Sequence, residues 1–453
     1  MRLSEHKYQT ISSMAGPLLF VEKVFSARIG EMVRILTPEG VDMDGEILEI
    51  AEDTVLIQVY GEIHGLDSEN TSVILTDSIK KVGLSPEVIG RLFNGSFLPI
   101  DGAPLYIPEK WVPVNGFPMN PVSRARPEEF IETGVSVIDG LNTLVKGQKL
   151  PLFSCAGLPA KEVIAQILKY ARAVSEKHPG EYNVSKKNAF VIVFAALGVA
   201  LQEFSFYMNV LEEMGGGFVA FVNRADETVM ERLLTPRCAL TTAEYLAFEQ
   251  GMDVLVVITD MTNYCDALRE ISTARKELPG RRGYPGYMYS DLASLYERAG
   301  RIHEKPGSVT MLPLVTMPED DITHPIPDLT GYITEGQIVL SRKLYQKEIF
   351  PPVDVLPSLS RLMQRGIGEG RTRKDHRAVS SLLYKYYALG DELRRLESIV
   401  GREGMAEKDR LMLDFADSFE REFVHQGVLR RDISGTLDTG LGLIKRFGLE
   451  EAR

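Results

Sequence analysis

Apolar residues follow three successive patterns along this chain, and each predicts a different kind of element. Over residues 1 to about 75, short runs such as GEMVRIL, GEILEIAED and TVLIQVYGEI are rich in β-branched residues. They are broken by glycine, Pro-Glu-Gly or acidic turns. That spacing predicts short strands in a small β-barrel or sandwich. From 76 to 350 the runs become continuous: AFVIVFAAL (189–197), GFVAFVN (217–223), MDVLVVITD (252–260) and SVTMLPLV (308–315). Unbroken apolar runs of strand length belong where both faces of a sheet are covered. Helix-forming stretches such as NYCDALREISTARKEL (263–278) lie between them, so the alternation predicts an α/β domain with a parallel sheet between helices. After the proline-rich joint IFPPVDVLP, residues 351–453 read as a helical domain. There Leu411, Phe415, Phe419 and Phe423 recur every four residues, which predicts one shared, core-packing helix face.

Composition narrows the classes of function. At 453 residues and 44% hydrophobic, the chain is long enough for two or three domains with a substantial core. A net charge of -12 argues against nucleic-acid binding, which relies on Lys and Arg to neutralise phosphates. The segment MRLSEHKYQTISSM lacks the apolar core of a signal peptide, and no apolar run reaches the roughly 18 residues of a membrane span. Cys155, Cys238 and Cys265 show neither pairing nor metal-like spacing, which suggests a reducing cytoplasm and gives no basis for a zinc site. The seven histidines form no ligand spacing, and no Ser/His/Asp nucleophile elbow is present.

The most informative stretch is LPLFSCAGLPAKEVIAQI, Leu150 to Ile167. Strand, tight Gly/Pro turn and helix are laid out as in a phosphate-binding loop, whose working form reads G-x-x-x-x-G-K-[ST]. One alignment puts Ser154 and Pro159 in the glycine slots, Ala160 in the lysine slot and Lys161 in the hydroxyl slot. Shifting by one places Cys155, Ala160, Lys161 and Glu162 there. That restores the lysine but loses both glycines and the hydroxyl, and Pro159 removes an amide donor. Neither register is competent. Asp260, at the end of the VLVVITD strand, stands where nucleotide-hydrolysing folds hold a magnesium-positioning carboxylate; a helix cap is the alternative.

Four longer motifs carry a family resemblance: VLVVITDMTNYCDALREIS (254–272), PGRRGYPGYMYSDLASLYERAGR (279–301), PPVDVLPSLSRLM (351–363) and FADSFEREFVHQG (415–427). In these, and over nearly its whole length, the chain resembles the B subunit of V-type and A-type rotary ATPases. The resemblance implies an N-terminal β-barrel (1–75), a central RecA-like P-loop NTPase-type domain with a degenerate P-loop (76–350) and a C-terminal helical domain (351–453). It also accounts for the loop: the B subunit is the non-catalytic partner of the catalytic A subunit. Catalytic relatives carry Gly-Glu-Arg after the next strand, where this chain has Gly198, Val199 and Ala200; Val199 cannot accept a proton or orient water.

By the same resemblance, three A and three B chains alternate in a ring around a rotating central stalk, with peripheral-stalk subunits beside it. Such a complex lies on the cytoplasmic side of the cell membrane, touches the membrane only through its other parts, and couples ATP synthesis or hydrolysis to proton or sodium transport. Arg361 in PSLSRLM matches the family's arginine finger, acting across the interface on ATP or ADP with magnesium. Tyr332 in GYITEGQI matches a position near that nucleotide, with ordinary packing as the alternative. For Ser154, Gly157 and Lys161 the readings are residual nucleotide contact or, for Lys161, a solvated first-turn side chain. Arg365, Arg371 and Arg373 read as a solvated loop. Two other functions compete: a scaffold with no active-site role, and a self-sufficient hexameric motor such as a secretion ATPase or an RNA helicase. The motor needs the intact loop that is missing.

Overall fold

The computed structural model describes residues 6–60, 66–116, 119–173 and 190–449. The predicted N-terminal strands appear as Glu31–Leu36, Asp42–Ala51 and Thr54–Tyr60; Gly61, Glu62 and Ile63 of the third run lie outside the described residues. They belong to a seven-stranded antiparallel sheet. Its order is Lys7–Tyr8, Ser72–Ile79, Glu31–Leu36, Asp42–Ala51, Thr54–Tyr60, Leu18–Val21, Ile11–Ala15. The two edge strands are separated only by Gln9 and Thr10, so the edges are drawn together and the sheet curls into a barrel, which shields strand edges from unwanted pairing. Val33, Ile35, Ile47, Val55, Ile57 and Val59 are fully buried inside it.

The central sheet runs, in order, Val353–Ser360, Gly336–Leu340, Leu152–Cys155, Ser308–Met317, Asp253–Thr259, Phe190–Val199, Phe218–Arg224, Leu92–Asn94. Neighbours along this path are parallel except the first pair, which is antiparallel. All seven residues of Asp253–Thr259 are buried, as an unbroken apolar run demands of a mid-sheet strand. Helices flank the sheet, among them Ala160–Tyr170, Leu201–Met214, Val229–Phe248 and Met261–Ala274. Of the first predicted strand, Ala189 lies outside the described residues. The sheet continues past the joint at 351: prolines 351 and 352 lead into the edge strand Val353–Ser360, and helices resume at Met363–Gly366.

Three helices, His376–Val400, Glu407–Ser418 and Ile433–Arg446, pack at the C-terminal end. Phe415, Phe419 and Phe423 are fully buried, with centroids 6.2 and 5.1 Å apart in successive stacked pairs. Leu411 does not join them; it is 39% exposed. The cause is helical drift, since four residues overshoot a turn of 3.6 and the stripe rotates by roughly 40° per step. A π-helical segment, Phe419–Val424, widens the turn where Phe419 and Phe423 must stay aligned. At Gly390 a Cβ would stand 2.5 Å from Cβ of Ala416 and 2.7 Å from the carbonyl oxygen of Met412, so the facing helices touch closely only because the side chain is absent. Fully buried Glu132 ties this domain to the central one, accepting from Arg172, from Arg430 at 3.1 Å and from the amide of Ile433 at 2.9 Å. Among the described residues, no helix is long and apolar enough to cross a membrane.

Candidate functional site

A cleft of about 440 Å³ opens at the C-terminal end of Leu152–Cys155, lined by the turn from Ser154 to Glu162 together with Val199, Glu203, Asp260, Asn263, Leu314, Thr316 and Tyr345. In a parallel sheet the strand ends and helix starts converge at this edge, which is where such folds place ligands. Four of the residues singled out from sequence therefore meet here: Ser154, Gly157, Lys161 and Asp260. The turn holds its shape by its own bonds. Gly157 takes φ +80°, a conformation that costs glycine little. The amide of Leu158 donates to the carbonyl of Cys155 at 3.1 Å, and Arg342 donates to the carbonyl of Ala156 at 3.0 Å.

The chemistry of the lining does not fit a magnesium triphosphate. Ser154 is 1% exposed and its hydroxyl turns to the carbonyl of Cys155. The Lys161 ammonium lies over the Phe206 ring, 5.3 Å from its centroid. Three carboxyl groups, Glu162, Glu203 and Asp260, line the cleft with one ammonium, Lys161, an acidic excess where an active loop offers positive charge. Burial, with the Asp260 charge second, raises the pKa of Glu203. Burial raises Asp260 as well, against the opposing pull of its hydrogen bonds. One Asp260 oxygen accepts from the amide of Thr262 at 2.8 Å, capping the helix Met261–Ala274, and both accept from the amide of Thr316 at 3.1–3.2 Å. Val199, in the slot of the missing glutamate, is 2% exposed.

Tyr332 and Arg361 are not in this cleft. Tyr332 ends a helix, Pro325–Ile333, and is 74% exposed. Arg361 follows the edge strand; its amide donates to the carbonyl of Glu335 at 3.0 Å. Its side chain is exposed and makes no hydrogen bond or ion pair among the described residues. The amide of Glu335 in turn donates to the carbonyl of Lys149, so Arg361 sits level with Lys149. At roughly 3.3 Å per strand residue, that is about 20 Å from the turn that starts at Cys155. The two loci occupy opposite ends of one sheet.

Family models match all three parts of the chain. Residues 134–360 match the ATP synthase alpha/beta family, nucleotide-binding domain; residues 365–453 match the C-terminal domain of V and A type ATP synthase; residues 11–77 match the ATP synthase alpha/beta family, beta-barrel domain. The V-type ATP synthase beta chain of Geotalea uraniireducens is 68% identical over 452 residues, spanning 100% of both chains. The chain belongs to the beta-chain, or B-subunit, family of V- and A-type ATP synthases.

Other members agree with that membership. The V-type ATP synthase beta chain of Thermus thermophilus is 52% identical over 446 residues, 98% of this chain and 93% of its own length. A solved structure described as that of a unique ATP synthase subunit NeqB from Nanoarcheaum equitans superposes with a TM-score of 0.74 at 38% identity, over 96% of this chain and 100% of that one. Within this B-subunit fold, Glu162 enters the sequence reading only as a loop-slot mismatch, and sequence patterns do not single out Glu203, Asn263, Thr316 or Tyr345 as cleft residues. Glu162 and Glu203 each left a signal, an acidic residue in the first turn of a helix, where carboxylates are favoured by the helix dipole.

Proposed function

We propose that the chain is the non-catalytic regulatory subunit of a rotary ATPase, and that its Arg361 completes the active site of a neighbouring catalytic A subunit. The ring would alternate three chains of each kind around a central rotor, on the cytoplasmic side of the membrane and held there through the rest of the complex. In it, synthesis or hydrolysis of ATP would be coupled to proton or sodium transport. The observation that carries the proposal is the placement of Arg361: an exposed guanidinium without a partner among the described residues, about 20 Å from its own cleft. ATP or ADP with magnesium would be held chiefly by the catalytic chain. Arg361 would contribute a planar, charged fork able to meet two phosphate oxygens at once, and Tyr332, one helix end away, an exposed aromatic face. A scaffold role remains the second reading and differs in tolerating loss of Arg361. Co-expression with the A subunit tests the proposal: hexamer and ATPase activity should appear together.

Alone, the chain should show no ATPase activity above background, because its turn lacks a competent lysine and hydroxyl and Val199 replaces the water-orienting glutamate. Turnover by the pure chain would contradict the non-catalytic assignment. Affinity of the isolated chain for ATP should be weak, and calorimetry showing submicromolar binding would count against a non-catalytic cleft. Glu203→Gln removes one repelling carboxylate and should strengthen ATP binding about three- to tenfold, on the order of 1 kcal/mol of like-charge interaction at an intermediate dielectric. Unchanged or weaker binding by the variant would assign the weakness to another cause. Glu203 has a raised pKa, so wild-type affinity should rise as pH falls and the carboxylate takes up its proton, and this dependence should flatten in the variant.

A further inference from the structure

Gln148 is a fully buried polar side chain that lies outside the cleft. Its amide nitrogen donates to the carbonyl of Glu335 at 3.1 Å and to the hydroxyl of Ser360 at 2.9 Å. Its amide oxygen accepts from the backbone of Val145 at 3.0 Å. These partners fix the orientation of the amide, since a flip would set its oxygen against the Glu335 carbonyl and leave the Val145 amide without an acceptor. The Glu335 carbonyl is the same atom that accepts from the amide of Arg361 at 3.0 Å. Ser360 immediately precedes Arg361 and donates onward to the carbonyl of Thr143 at 2.9 Å. Between these residues the strands crowd at Gly336, with φ +135°, where a Cβ would stand 2.0 Å from the Leu359 carbonyl oxygen.

One side chain thus grips the residue before Arg361 and the carbonyl that holds the Arg361 backbone, and anchors both to the segment 143–148, which includes the short strand Leu144–Val145. We infer that Gln148 is a positioning residue for Arg361, a role that rests on the finger reading proposed above. An arginine presented to a neighbour has a long, unpartnered side chain, so its backbone must supply the precision that the side chain lacks. A buried primary amide suits that role, because it offers two donors and one acceptor in fixed geometry and has no charge to desolvate. A group that acts by placing another is expected to affect turnover more than binding, since small misplacements weigh on the transition state.

The test uses rings reconstituted from the A subunit and four versions of this chain: wild type, Gln148→Met, Arg361→Ala and the double variant. Methionine keeps length and volume but cannot donate. Gln148→Met should assemble, hold KM for ATP within about threefold and lower kcat by about tenfold or more, toward the roughly 10²-fold that an ångström of misplacement can cost. In the Arg361→Ala background, single-turnover measurements should show no further loss beyond about twofold, because groups that act as a unit are not additive. Ser360→Ala removes the other end of the same bond and should move kcat in the same direction, which keeps the test available if Gln148→Met does not fold. Wild-type turnover in both Gln148→Met and Ser360→Ala rings, or an equal loss from Gln148→Met with and without Arg361, overturns the inference while the finger reading stands. Full activity of the Arg361→Ala ring overturns both.

Discussion

Arg361→Ala is expected to lower ATP hydrolysis by the mixed ring by about 10³-fold or more, the scale seen when finger arginines are absent from related phosphoryl-transfer enzymes. Folding and ring assembly should survive, because the side chain is exposed and makes no hydrogen bond or ion pair among the described residues. Nucleotide binding should suffer less than turnover, since the finger acts on charge that develops in the transition state. Arg361→Lys should rescue poorly, as it keeps a positive charge but loses the planar fork. Rates measured on the same ring preparations would show whether charge alone suffices.

The second large effect is on stability. Phe419→Ala should cost about 3–5 kcal/mol, the usual range for truncating a large buried aromatic side chain. Phe419 is fully buried and meets Tyr387 at 4.7 Å, Phe423 at 5.1 Å and Phe415 at 6.2 Å between ring centroids, so one truncation empties the centre of the helical domain. Leu411→Ala, four-residue spacing notwithstanding, should cost well under 1 kcal/mol, as expected for a partly exposed site. Urea unfolding of the isolated chain, followed by circular dichroism, separates the two. Equal losses would contradict the packing described.

The contrast between Phe419 and Leu411 shows where sequence patterns succeed and where they stop. Long apolar runs such as Asp253–Thr259 declare themselves because a mid-sheet strand has no polar face. The end of a helical stripe is less legible, because the small mismatch between four residues and one turn grows along the helix. The cleft was half visible. Ser154, Gly157, Lys161 and Asp260 follow from strand–turn–helix grammar, whereas Glu162 and Glu203 oppose each other only once parallel strands set their helices side by side. Gln148 left no local signal of its role, since the two groups its amide nitrogen holds lie 187 and 212 residues away. The placement of Arg361 away from its own cleft likewise depends on a strand order that no single segment encodes.

The central claim is that this chain reaches into a neighbour's active site through Arg361. It is tested most directly by steady-state ATPase measurements on rings of the A subunit with either wild-type or Arg361→Ala chain, after gel filtration has shown equal assembly. Rings of the same size and near-equal nucleotide content are expected, with hydrolysis down by about 10³-fold or more. An assembled Arg361→Ala ring that hydrolyses ATP at close to the wild-type rate would contradict the claim and leave this chain a scaffold.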